Sequence, residues 1–77
     1  MEKRIINIIE RITGNTFPEA NLQSNIITDF GIDSLQMVTF FLNLEDEFQI
    51  SIDFENFNYE NLSSIEKTIK YINDQVD

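Results

Sequence analysis

Neither cysteine nor histidine occurs in the 77 residues. Without cysteine there is no disulfide framework, no thiolate metal site and no cysteine nucleophile. Without histidine the chain lacks the commonest general base and the commonest metal ligand. Glycine occurs only at Gly14 and Gly31, too few for a phosphate-cradling glycine-rich loop. No apolar run is long enough to span a bilayer, and Met1-Glu2-Lys3-Arg4-Ile5-Ile6-Asn7 has no signal-peptide core. A cytoplasmic location is therefore expected. Basic residues are scarce and lie at the ends: Lys3, Arg4, Arg11, Lys67 and Lys70. None falls between Ile12 and Glu66, a span that holds ten of the fourteen acids. Such a surface repels nucleic acid and anionic lipid and steers instead towards basic protein patches. Acidity also serves solubility alone, so charge by itself does not choose a partner.

What is present is a core. Hydrophobic residues make up 42% of the chain, with seven Phe and many Ile, so a net charge of -9 does not imply disorder. The length gives room for a single domain, residues 1–77, and a large enclosed active-site cleft is not expected.

Taken in order, Ile5, Ile8, Ile9 and Ile12 recur at helical spacing, predicting a helix over Glu2 to Thr13 that Gly14 and Asn15 end. No period is sustained from Thr16 to Ile32. This reads as a long loop anchored by Phe17, Leu22, Ile26, Ile27 and Phe30, and a loop of that length in so small a domain is often functional. A second helix is predicted from Ser34 to Phe48, with Val38, Phe41, Leu42 and Leu44 as its buried stripe and Phe40 widening it. Gln49 to Asp53 reads as an extended connector. Phe54, Phe57 and Tyr59 follow in a brief helical turn or irregular segment with Asp53 as its candidate cap, and Ser63-Ser64-Ile65-Glu66 reads as a capping box opening a last helix with Ile65, Ile69 and Ile72 inward. The expected fold is all-α: a small four-helix bundle of three long helices and one short one.

The chain is organised around Asp29-Phe30-Gly31-Ile32-Asp33-Ser34-Leu35. Gly31 permits a sharp turn. Asp33 stands where an N-cap belongs, and Gln36 three positions on completes a capping-box-like pair. Ser34 then occupies the first helical position, beside unpaired amides and the positive end of the helix dipole, where an attached phosphate is stabilised. Taken alone, a serine so placed is usually only a cap or a solvated residue.

Catalysis finds little support. Glu45, Asp46 and Glu47 are consecutive, so on a helix they fan around the axis and do not converge on one ion. No segment has the spacing of a calcium loop, and no metal site is assigned. Ser34 has no base in a recognisable pattern, so no catalytic residue is assigned and the chain reads as a protein that is acted upon.

Phe30-Gly31-Ile32-Asp33-Ser34-Leu35, Val38, Leu44-Glu45-Asp46-Glu47-Phe48 and Ile52 together resemble an acyl carrier protein, as do Leu62-Ser63-Ser64-Ile65 and Ile69-Tyr71-Ile72. The resemblance spans nearly the whole chain. It implies that Ser34 bears a covalent 4'-phosphopantetheine, placed there from coenzyme A by a Mg2+-dependent phosphopantetheinyl transferase. The terminal thiol of that arm holds an acyl or aminoacyl group as a thioester, so a chain without cysteine borrows its sulfur. It implies for Asp33 a share in recognition by the transferase. Leu35, Met37 and Val38 would be the apolar ground beside the arm. The implied partners are that transferase, a loading enzyme and a downstream synthase or transferase, with the carrier itself a monomer.

Departures from the family narrow the role. Fatty acid carriers place acids on helix two just after the serine. Here Gln36 and Thr39 stand at those sites, Asn43 is also neutral, and the acids come later. The segment after Ile52 is about two residues longer and richer in aromatics. These features fit a carrier dedicated to a specialised pathway, such as a secondary-metabolite (polyketide), nonribosomal peptide or cell-wall route, more than a housekeeping fatty acid role. The expected partner surface comprises Gln36, Met37, Thr39 and Phe40 on helix two, with Glu47, Asp53 and Glu55 beyond it. An unmodified acidic helical adaptor that docks basic partners remains the alternative.

Overall fold

The computed structural model describes residues 1–76. Three α-helices form: α1 (Glu2–Thr13), α2 (Ser34–Phe48) and α3 (Ile65–Gln75), with a 3-10 turn at Tyr59–Leu62 before α3. No strand occurs among the described residues. The fold is the expected small helical bundle, its short fourth element a single 3-10 turn. α1 packs against both α2 and α3, and the 3-10 turn packs against α3.

Each helix ends for a local reason. Gly14 closes α1 in the left-handed region (φ 72), its amide donating to Glu10 O. Gln49 closes α2 the same way at φ 55, a conformation that costs a side-chain-bearing residue energy. At α3 the expected cap moves by one residue. The cap is Ser64, whose Oγ accepts from Lys67 N–H, while Ser63 Oγ donates to Glu60 O. Ser63 is held by the preceding turn and so cannot serve α3. Asp53 likewise heads a separate turn, accepting from Glu55 N–H and from Asn56 Nδ2. The 3-10 turn is capped by Asn58.

The core joins Ile5, Ile8 and Ile9 of α1 to Phe40, Phe41, Leu44 and Phe48 of α2, and to Ile65 and Ile72 of α3. The stripe on α2 differs from the expected one. Val38 is 50% and Leu42 53% exposed, whereas Phe40 is fully buried. α2 is apolar on most sides, so period alone did not choose its inner face. The larger Phe side chains gain more from burial and turn inward.

The long loop is fixed by hydrogen bonds to α3. Ile65 and Glu66 donate their amides to Ser24 O and Leu22 O, and Ile26 N–H donates to Leu62 O. The first amides of α3 thus find partners in the loop, and the loop gains a rigid support. Ile26 and Phe30 are buried anchors, with Phe17 edge-on to Phe30 at 4.8 Å. Leu22 and Ile27 were expected inside but are exposed, because their stretch of loop runs over the surface.

Candidate functional site

Ser34 is exposed at the first position of α2. Gly31, at φ 66, turns the chain into this helix. Asp33 is extended (φ -86, ψ 178), and the full capping box forms: Gln36 N–H donates to Asp33 Oδ1 at 2.7 Å, and Asp33 N–H to Gln36 Oε1 at 3.1 Å. Met37 N–H is taken by Asp33 O. The amides of Ser34 and Leu35 are the two at the mouth of α2 that neither the cap nor the helix engages among the described residues. The hydroxyl therefore sits where backbone partial positive charge is unspent, and no basic side chain lies on α2.

Beside Ser34 lies an open groove of about 630 Å³. Ser34, Met37, Val38, Phe41 and Leu42 form its α2 wall, Ile27 and Ile32 come from the loop, and Phe54 and Tyr59 close the far side. The far wall is held by aromatic packing. Phe41 meets Phe54, Phe57 and Tyr59 at ring-centroid distances of 5.5, 4.9 and 6.3 Å, and Phe57 rests against Tyr71 at 5.2 Å. Burial, with the charges of Asp53 and Glu45 behind it, raises the Tyr71 pKa, so its hydroxyl stays neutral at physiological pH.

The expected site residues separate. Met37 and Val38 do line the groove, while Leu35 stands outside it with 76% of its surface exposed. Thr39 is exposed and Gln36 is spent in the cap. Phe40 has no exposed surface, so it offers nothing to a partner and belongs to the core. Glu47 is already paired with Arg4 at 2.8 Å, whose guanidinium also lies 4.6 Å from the Phe48 ring centroid. Asp53 is exposed, and the side-chain hydrogen bond from Asn56 lowers its pKa despite an opposing desolvation. Glu55 is exposed. Glu45 accepts from Ile52 N–H at 2.7 Å and so fixes the connector rather than a ligand. No three acids among the described residues converge as a metal site would require. Ile27, Leu42, Phe54 and Tyr59 were not assigned to the site from sequence. Only the fold brings a loop isoleucine and the post-connector aromatics against α2.

Comparison with known proteins places this geometry in context. A family model described as "Phosphopantetheine attachment site" matches residues 3–72. The chain is 32% identical over 75 residues to an acyl carrier protein of Buchnera aphidicola, covering 97% of this chain and 92% of that one. It is also 32% identical over 78 residues to an acyl carrier protein of Exiguobacterium sibiricum, covering 97% and 96%.

Proposed function

The chain belongs to the acyl carrier protein family, and on that premise we propose that Ser34 is the residue that carries its covalent 4'-phosphopantetheine. It is a carrier and not an enzyme. When bound, the group supplies a thiol on which cargo is held as a thioester. The observation that carries the assignment to Ser34 is its exposed hydroxyl at the mouth of α2, next to two unengaged amides and a capping box that holds that first turn in place. Ser34 Oγ supplies the ester oxygen. The amides of Ser34 and Leu35 tolerate the phosphate charge that results. Asp33 keeps its carboxylate on Gln36 N–H, so its main work is to hold the turn, with a share in recognition by the transferase.

The 77 residues act as one carrier domain serving a phosphopantetheinyl transferase, a loading enzyme and a downstream synthase or transferase in the cytoplasm. No described helix is long and apolar enough to cross a membrane. A specialised acyl or aminoacyl route is favoured over housekeeping fatty acid synthesis, because α2 carries no charge from Ser34 to Leu44. The neutral Gln36, Thr39 and Asn43 are chemistry that a partner with a basic docking face would not select.

The test is to incubate the apo chain with coenzyme A, Mg2+ and a phosphopantetheinyl transferase and to weigh the product. The expected result is one added phosphopantetheinyl group on wild type and none on Ser34→Ala. An arm still added to Ser34→Ala overturns the assignment.

A further inference from the structure

A chain of aromatic rings joins α2 to α3. Phe57 packs edge-on against Phe41 of α2 at 4.9 Å and against Tyr71 of α3 at 5.2 Å, with interplanar angles of 65° and 78°. Tyr59 leans on Phe57 at 5.3 Å and, with Phe54, on Phe41. Edge-to-face pairs of this kind are stabilised beyond what burial alone contributes. Phe41, Phe54 and Tyr59 line the groove at Ser34, while Phe57 and Tyr71 stand behind them against the core. Beyond lie Leu44, Leu62, Ile65 and Ile72, none more than 1% exposed. A group that followed the groove from Ser34 towards the helix interior would therefore meet rings first and a closed core behind them. Protein interiors are close-packed, and inserting further methylenes forces side chains off their rotamers. To make room, Phe57 would have to give up its contacts with Phe41, Tyr59 and Tyr71 together.

We infer that these rings close the helix interior to the cargo, so that the group carried as a thioester rides outside the bundle, no deeper than the open groove, and that the carrier suits groups needing no shelter from water: short or polar acyl groups, aminoacyl groups included. The inference rests on the Ser34 assignment, since Ser34 places the arm at the groove. An open groove covers one side of what lies in it. A long alkyl tail held there leaves apolar area in water, at a cost that grows with each methylene. An aminoacyl group has little such area. Its ammonium also matches the charge around the groove. Asp33 lines it, and Asp53 and Glu55 flank Phe54 on its far wall, all three exposed. No Lys or Arg lies between Ile12 and Glu66 to oppose them.

The experiment loads the chain from octanoyl-coenzyme A with Mg2+ and a transferase that accepts acylated coenzyme A, and compares the product with the holo chain made from coenzyme A itself. The readouts are the thermal midpoint, the methyl NMR signals of Leu62, Ile65 and Ile72, and the hydrolysis rate of the thioester. For the wild-type chain the octanoyl form should melt within about 1 °C of the holo form, with core methyl signals unmoved. Its thioester should hydrolyse as fast as octanoyl-coenzyme A in the same buffer. Phe57→Ala takes the central ring out of the wall. The octanoyl form of that variant should melt about 4 °C or more above its own holo form, because the tail then fills the space the ring has left. Phe57 is half-buried, so circular dichroism should show the variant folded, and Phe57→Leu, a smaller opening, replaces it if it is not. A wild-type midpoint raised by about 4 °C or more, or displaced Ile65 and Ile72 signals, overturns the closed interior and the cargo class with it. A Phe57 variant as indifferent to octanoyl as the wild type shows that the rings are not the barrier and overturns it too. Mass analysis separates this from the underlying assignment. An octanoyl arm on Ser34 with displaced core signals removes only the closed interior, whereas an arm still added to Ser34→Ala removes both.

Discussion

Phe40 and Val38 stand two positions apart on α2 and meet opposite surroundings. Phe40 lies among the isoleucines of the core, while Val38 forms part of the groove at Ser34. The energetic consequences should differ accordingly. Phe40→Ala removes a fully buried ring and should cost about 3–5 kcal/mol, a large share of the stability of a domain of this size. Val38→Ala removes half-exposed methyl groups and replaces a β-branched residue by the best helix former, so its effect should stay within about 0.5 kcal/mol. Urea unfolding of the two variants checks this, and equal losses would mean that α2 is rotated from the face described. From the alternation of residues alone the two were indistinguishable, because both fall in an apolar run that surrounds most of the helix. Asp33 was different. Its type, its place before the run and the glutamine three residues later identified the cap, because those interactions are local and need no partner from elsewhere in the chain.

At the scale of elements, the helix boundaries were legible because caps are local chemistry. α1 ends at a glycine and α2 ends at a residue for which the same conformation is unfavourable. The two C-termini should therefore respond in opposite senses. Gly14→Ala meets no steric obstacle around the new Cβ, so its cost is the left-handed backbone alone, about 1 kcal/mol. Gln49→Gly relieves a similar strain, less the exposed hydrogen bond from Gln49 Nε2 to Asp46 O, and should raise stability by up to about 1 kcal/mol. Thermal melts of both variants test the pair, and a lower midpoint for Gln49→Gly would show that the side-chain bond outweighs the strain. The long loop was harder to read. Its apolar residues announced packing, but Leu22 and Ile27 are on the surface while Ile26 and Phe30 are inside. That choice is made by the carbonyls of Leu22 and Ser24, which reach the amides of α3 some forty positions later. No local pattern encodes so distant a pairing.

At the scale of the whole molecule, charge and shape pull apart. The radius of gyration is 11.4 Å, close to the ~11.5 Å expected for a compact chain of this length, so the loop is folded against the helices. The three ion pairs among the described residues, Arg4–Glu47, Lys67–Glu60 and Lys70–Asp74, are all substantially exposed and each contributes little. Against them stands the mutual repulsion of a net charge of -9. Screening should therefore help more than it harms. Raising NaCl from about 0.02 M to about 0.5 M should lift the melting midpoint by several degrees. A midpoint that falls with salt would mean that the ion pairs prevail over the repulsion.

The three helices and the serine at the start of the second were legible in the sequence, because each follows from short-range periodicity and capping within a few residues, whereas the class of protein came through resemblance to a known family. The lack of cysteine and histidine also left the chain without a thiol nucleophile and without the commonest general base. Only the tertiary structure decided which face of α2 turns inward, and that Ile27, Leu42, Phe54 and Tyr59 meet beside Ser34. These residues come from three separated segments. What draws them together is the packing of the Phe41 and Phe57 rings and the anchoring of the loop on α3, interactions between parts of the chain that no local pattern can specify.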